Sequence, residues 1–114
     1  MNLEINKKIN GKNAFLTIHG EVDMYSSPLL RKEVMKIANQ KIENILIDLQ
    51  DVNYMDSSGV ATLIEGLQLC KKYGGTILLA GMQDNVREVF ELTRLDKIFK
   101  IYNNVTTAKA ELQK

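Results

Sequence analysis

At 114 residues, with 45% hydrophobic and 25% charged side chains, the chain has the size and composition of one globular domain that buries a core without staples. Fifteen basic and fourteen acidic residues leave a net charge of +1 with the basic ones scattered, which argues against direct nucleic-acid binding or attachment to an anionic membrane. The lone Cys70 excludes an internal disulfide or a cysteine metal cluster; with no stretch near the ~20 apolar residues of a membrane span and no apolar run in Met1–Lys8 to suggest a signal peptide, a cytoplasmic protein without membrane insertion is expected.

The first elements are set by alternation. Leu3, Ile5, Lys7 and Ile9 alternate with Glu4, Asn6 and Lys8, which predicts a strand with one buried face. Asn10-Gly11 is a favoured hairpin turn because both residues tolerate positive φ, and the return strand is expected over Ala14–His19. Gly20–Tyr25 reads as a loop. Ser26 and Ser27 are candidate caps, Pro28 suits a first helical turn, and the helix that follows buries Leu30, Val34, Ile37 and Ala38 before ending near Asn39-Gln40.

Ile45–Leu49 is an apolar run of strand length, Gln50–Met55 reads as a polar connection, and Asp56-Ser57-Ser58-Gly59 opens a helix over 57–72. That helix carries Val60, Leu63, Ile64 and Leu67 at the spacing of one buried stripe, and Lys71-Lys72 and Gly74 suit its end. Thr76–Ala80 is a further buried strand. Asp84 is the expected cap of a third helix burying Val86, Val89, Phe90 and Leu92. Ile98–Tyr102 reads as a short edge strand, and Asn103 or Asn104 starts a last helix bearing Val105, Ala108 and Leu112, with fraying expected in the final residues.

The order predicts an α/β fold: a mixed, mostly parallel sheet of four to five strands with an N-terminal β-hairpin and about four helices. In such sheets, sites collect beyond the carboxyl ends of the strands. The loops Gly20–Asp23, Asp56–Gly59 and Gly81–Gln83 should therefore open on one edge, with Asp23 and Ser57 as neighbours there.

Ser57 and Ser58 fall where backbone N–H groups lack partners and the helix dipole is positive. Either Asp56 or a serine caps the helix, or a serine hydroxyl is exposed as a phosphate acceptor, and spacing does not choose between them. A catalytic constellation is not evident. His19 is the only histidine, and D-S-S-G is not the G-x-S-x-G elbow of hydrolases. Asp23 with Asp56 is a weak carboxylate pair, and no phosphate-binding P-loop is present. Neither enzyme activity nor a metal or cofactor is expected. Met24 and Met82 suit a contact surface or simple packing.

Met55-Asp56-Ser57-Ser58-Gly59, preceded by an apolar strand and followed by an amphipathic helix, resembles the signature of the STAS domain, and within it the bacterial anti-sigma factor antagonists. Gly20-Glu21-Val22-Asp23, Tyr73-Gly74-Gly75 and Val86–Leu95 extend the resemblance over nearly the whole chain, so residues 1–114 are expected to form one STAS domain. The resemblance implies a phosphorylation site at Ser57 and a partner-binding set of Asp23, Asp56, Ser57, Ser58 and Gly59. It implies an anti-sigma factor that is itself a serine kinase, and a separate protein phosphatase; a monomer that works as a heterodimer partner is the default expectation. One departure is Ala61, where the family often has a second glycine. Two other readings remain: a STAS subunit docked constitutively in a phospholipid-transport or other signalling complex, with Ser57 mainly a cap, and a nucleotide or small-molecule binder using the positive helix N-terminus.

Overall fold

Alternation and a tight turn set up the hairpin at the start of the sheet. β1 (Leu3–Asn10) and β2 (Asn13–Val22) pair antiparallel from Leu3 opposite Gly20 to Asn10 opposite Asn13. Gly11 takes the left-handed φ of +64° that the turn requires. The computed structural model describes residues 3–113; Met1, Asn2 and Lys114, the last in the tail expected to fray, lie outside the described residues. β3 (Asn44–Met55), β4 (Thr76–Ala80) and β5 (Lys100–Tyr102) add in parallel, giving a five-stranded sheet in the order β1-β2-β3-β4-β5. The parallel connections run through α1 (Ser27–Asn39), α2 (Ser57–Lys71) and α3 (Asp84–Leu92), the last followed by a 3₁₀ turn at Leu95–Lys97. The final helix is α4 (Val105–Leu112).

The two faces of the sheet are covered unequally. Leu16, Ile18, Ile45, Ile47, Ile77 and Leu79 join residues of α1, α2 and α3 in the main core. On the reverse face α4 covers Leu46, Leu78 and Ala80, with Ala108 buried against them. α1 and α2 cross closely at Gly66, where a β-carbon would lie 2.6 Å from Val34 Cγ1. Across that crossing the Arg31 guanidinium grips both oxygens of Glu65, at 2.8 and 2.9 Å. The pair holds the Glu65 carboxyl below the usual carboxylate range and raises Arg31.

The expected fold class is what the chain adopts, and several local expectations change. β2 runs on to Val22, so Gly20–Val22 belong to the strand. β3 runs to Met55, and Gln50–Met55 is strand. Two register shifts explain the second difference: Thr17 and His19 face Asp48 and Asp51, and Gly20 and Glu21 face Val52 and Tyr54. Each shift adds a residue to β3, as a β-bulge does. Its buried residues then fall at Leu49, Val52 and Met55, every third position instead of every second. At the start of α1, Ser26 makes no side-chain bond of the capping kind. For α3 the cap position is Gln83, with Asp84 in the first turn. Leu92 is exposed, as is Ile9 on β1, and Ile98 is exposed and lies outside β5.

The longer β3 also parts the loops. Along β3, β4 pairs with Asn44–Asp48 and no further, so the turn after it comes level with the middle of β3. There Gln83 Nε2 donates to the Gln50 carbonyl at 3.0 Å and Asn85 Nδ2 to that of Asn53 at 2.8 Å. Gly81–Gln83 therefore does not join the Asp56 turn; only the loops after β2 and β3 open together.

Cys70 has no solvent exposure, and burial pushes its thiol pKa up. The neighbouring Tyr73 hydroxyl donates to the Ile42 carbonyl at 2.7 Å and lies 3.4 Å from the sulfur. A thiolate is the reactive form, so this thiol is doubly protected. A disulfide reagent at neutral pH is expected to leave the native protein unlabelled while reacting fully in denaturant. Labelling at equal rates in both would show that the thiol is open.

Candidate partner-binding rim

The rim begins where β2 and β3 end together. Val22 lies opposite Met55, and the Asp56 N–H donates to the Val22 carbonyl at 3.1 Å. The two chains therefore leave the sheet at one level, Asp23 beside Asp56. The expected proximity of the Asp23 and Ser57 segments is present.

Each aspartate is occupied by its own loop. Asp23 Oδ1 accepts from the N–H groups of Tyr25 and Ser26, both at 2.9 Å. Ser26 Oγ accepts from the Asp23 N–H at 2.9 Å and donates to the Glu21 carbonyl at 2.7 Å, while the Ser27 N–H donates to the Asp23 carbonyl at 2.7 Å. The bonds from Ser26, above all its backbone N–H, hold the Asp23 carboxyl below its usual range. Asp56 Oδ1 accepts from the Ser58 and Gly59 N–H groups at 2.9 and 3.4 Å and from the Ser58 hydroxyl. Asp56 is thus the N-cap of α2, and its carboxylate stands where an external anion would meet those amides.

The two serines are separated by this geometry. Ser58 is half-buried, its hydroxyl donating to Asp56, and Thr62 Oγ1 donates to its carbonyl at 3.0 Å. Ser57 is exposed, and its hydroxyl makes no hydrogen bond to any described residue. Ala61, four residues on, is exposed as well, one helical turn from Ser57. Gly59 is buried: a β-carbon there would lie 2.6 Å from Val22 Cγ1 and 2.8 Å from Met55 Cγ. Of the expected partner-binding set, Gly59 is the member that packs inward. It lets the start of α2 sit down on the strand ends.

His19 Nδ1 pairs with Asp51 Oδ2 at 2.9 Å, three residues of strand short of Val22, so about 10 Å from the rim. No histidine stands beside the Ser57 hydroxyl, and among the described residues no carboxylate accepts a hydrogen bond from it. Met24 and Tyr25, at the tip of the β2–α1 loop, are exposed, whereas Met82 is buried. Tyr25 was not legible as a surface residue; an aromatic next to Met24 in a loop is as consistent with packing.

The cap should be measurable. Asp56→Ala removes an acceptor of two amides and a hydroxyl and is expected to cost about 1 to 2 kcal/mol in urea unfolding, with Asp56→Asn costing less. A neutral effect of Asp56→Ala would mean that the cap carries no weight.

Fold and rim together define a small α/β domain that presents an unengaged serine at the start of a helix, beyond the carboxyl ends of two parallel strands. The STAS domain family model matches residues 4–108. The anti-sigma-B factor antagonist of Bacillus subtilis strain 168 is 34% identical over 101 residues, covering 89% of this chain and 92% of its own. The anti-sigma F factor antagonist of Paenibacillus polymyxa is 27% identical over 114 residues, covering 99% and 97%. A crystal structure of a candidate anti-sigma factor antagonist from Thermotoga maritima superposes with a TM-score of 0.89 at 27% identity, covering 96% of this chain and 95% of that one. The chain belongs to the STAS domain family. Among the described residues, no helix is long and apolar enough to cross a membrane.

Proposed function

We propose that the protein is an anti-sigma factor antagonist switched by phosphorylation of Ser57. Unmodified, it docks at the Asp23–Ser57 rim on an anti-sigma factor that is also a serine kinase, and a sigma factor is released. The kinase brings ATP and Mg²⁺ and transfers the γ-phosphoryl group to Ser57 Oγ, the bond from Pγ to the bridging oxygen breaking to release ADP and the hydroxyl proton passing to a base of the kinase. The product no longer docks, and a protein phosphatase hydrolyses the ester to reset the switch. The chain acts as a cytoplasmic monomer, needs no cofactor and contributes no catalysis of its own.

The observation that carries this reading is the contrast between the two hydroxyls. Ser57 is exposed and unengaged, while the Ser58 hydroxyl is spent on Asp56. The names of the relatives support the choice of partner class.

The reading is tested by incubating the purified chain with the candidate kinase and Mg-ATP and weighing the product. One added phosphate is expected on the wild type and on Ser58→Ala, and none on Ser57→Ala. Labelling that survives Ser57→Ala, or no labelling of the wild type, would overturn it.

A further inference from the structure

Beside Ser57 the rim carries the two most conspicuous apolar groups of its loop. Met24 is 65% and Tyr25 77% exposed. Most of each side chain stands in solvent, yet the backbone beneath is fixed. Asp23 Oδ1 receives the N–H groups of Tyr25 and Ser26, and Ser26 Oγ is tied to both the Asp23 N–H and the Glu21 carbonyl. The loop is also anchored to the helix that bears Ser57, since Val22 receives the Asp56 N–H.

A rigid backbone that holds a large aromatic and a methionine in water is suited to docking. Little chain entropy remains to be lost on binding, and the area to be buried stands ready. Tyrosine is prominent among the few residues that carry most of an interface's affinity, and methionine adapts to the walls of an apolar pocket.

The geometry points to Met24 and Tyr25 as the anchor by which the anti-sigma factor grips this rim, with Asp23 as the positioning residue that holds the anchor. This rests on the proposed function for the identity of the partner. It changes the role of Asp23, whose charge suggests a direct ion pair. Its carboxylate is engaged with backbone N–H groups, and it acts through the residues that follow. The partner then offers an apolar pocket to the loop tip while its kinase centre faces Ser57. Grip and switch are separate parts of one rim.

The test is a titration of the chain and its variants against the kinase that labels the wild type. Met24→Ala and Tyr25→Ala are each expected to weaken binding at least about tenfold, as anchor residues do. Both leave the thermal midpoint nearly unchanged because most of each side chain is already in water. Leu92→Ala, which removes an equally exposed side chain from α3, should have no effect. Asp23→Asn keeps the oxygen that accepts both N–H groups and should bind as the wild type, whereas Asp23→Ala loosens the tip and weakens binding.

If both tip variants bind like the wild type while Ser57→Asp is weakened, the anchor is overturned and the switch stands. If Asp23→Asn loses as much as Asp23→Ala, the carboxylate is a charged contact and the positioning role is overturned. Should the tip instead hold two copies of this chain together, the wild type would run as a dimer and Tyr25→Ala as a monomer, which would also overturn the proposal. If no kinase binds the wild type, the proposed function and the anchor fall together.

Discussion

Phosphorylation of Ser57 is expected to weaken docking of the anti-sigma factor about a thousandfold, equivalent to ~4 kcal/mol. The rim explains why so large an effect needs no change of shape. A phosphoserine brings about −1.5 to −2 charges near neutral pH. The start of a helix would ordinarily soften that charge through its free amides. Here the Ser58 and Gly59 amides are already bonded to Asp56, whose own charge lies beside the new one. The phosphate stays in water without local compensation while the protein is free. On docking it must be stripped of that water against the partner, and burying an unpaired charge costs several kcal/mol.

The graded variants follow from the same argument. Ser57→Ala should dock as the wild type does, because the unmodified hydroxyl has no partner to lose. Ser57→Asp carries one charge on a shorter side chain and should lose only about ten- to a hundredfold, between the two extremes. Calorimetric titration of the four forms checks the order. An Asp variant that docks as tightly as the Ala variant, or a phosphorylated protein that docks unimpaired, would show that the charge does not lie in the contact. A changed circular dichroism spectrum on phosphorylation would show that the effect is conformational.

What was legible in the sequence followed the regularity of the backbone. β1, α2 and β4 were placed within a residue or so because alternation, the 3.6 period and a bounded apolar run each leave a plain signature. The far half of β3 left none. Its two bulges bury Leu49, Val52 and Met55 at intervals of three, a spacing that matches neither template. The consequence reached the rim. With β3 cut short, three loops were expected to meet; with its true length, the loop after β4 falls alongside Gln50. Ser57 and Ser58 could not be told apart by spacing, because which hydroxyl is free depends on where the Asp56 carboxylate points. Met24 stood open between a contact surface and packing, and Tyr25 was passed over, since exposure of a loop residue depends on how that loop folds, and here the hydrogen bonds of Asp23 decide it.

Gly59 supplies the second large effect, this time on stability. Gly59→Val is expected to destabilise the protein by about 3 kcal/mol, the upper range for overpacking a filled site. The added β-carbon would stand 2.6 Å from Val22 Cγ1 and 2.8 Å from Met55 Cγ, and both residues are buried. The methionine is unbranched and can swing aside. Val22 cannot, because a β-branched side chain in a strand is stiff at χ1. The start of α2 must therefore lift. Gly59→Ala meets the same first contact but recovers up to ~1 kcal/mol of helix propensity, so its net loss should be smaller, about 2 kcal/mol. For a domain of this size the valine variant should melt roughly 10 °C lower. Lifting the turn also carries Ser57 away from the Met24–Tyr25 tip, so a Gly59→Ala protein that is still folded should be phosphorylated and should dock less well than the wild type. Ala61→Gly provides the contrast, since that exposed position should lose only ~1 kcal/mol of propensity and leave the contact with Val22 untouched. If Gly59→Val melted with the wild type, the close seating of α2 on the strand ends would be wrong, and with it the fixed spacing between serine and loop tip on which the rim depends.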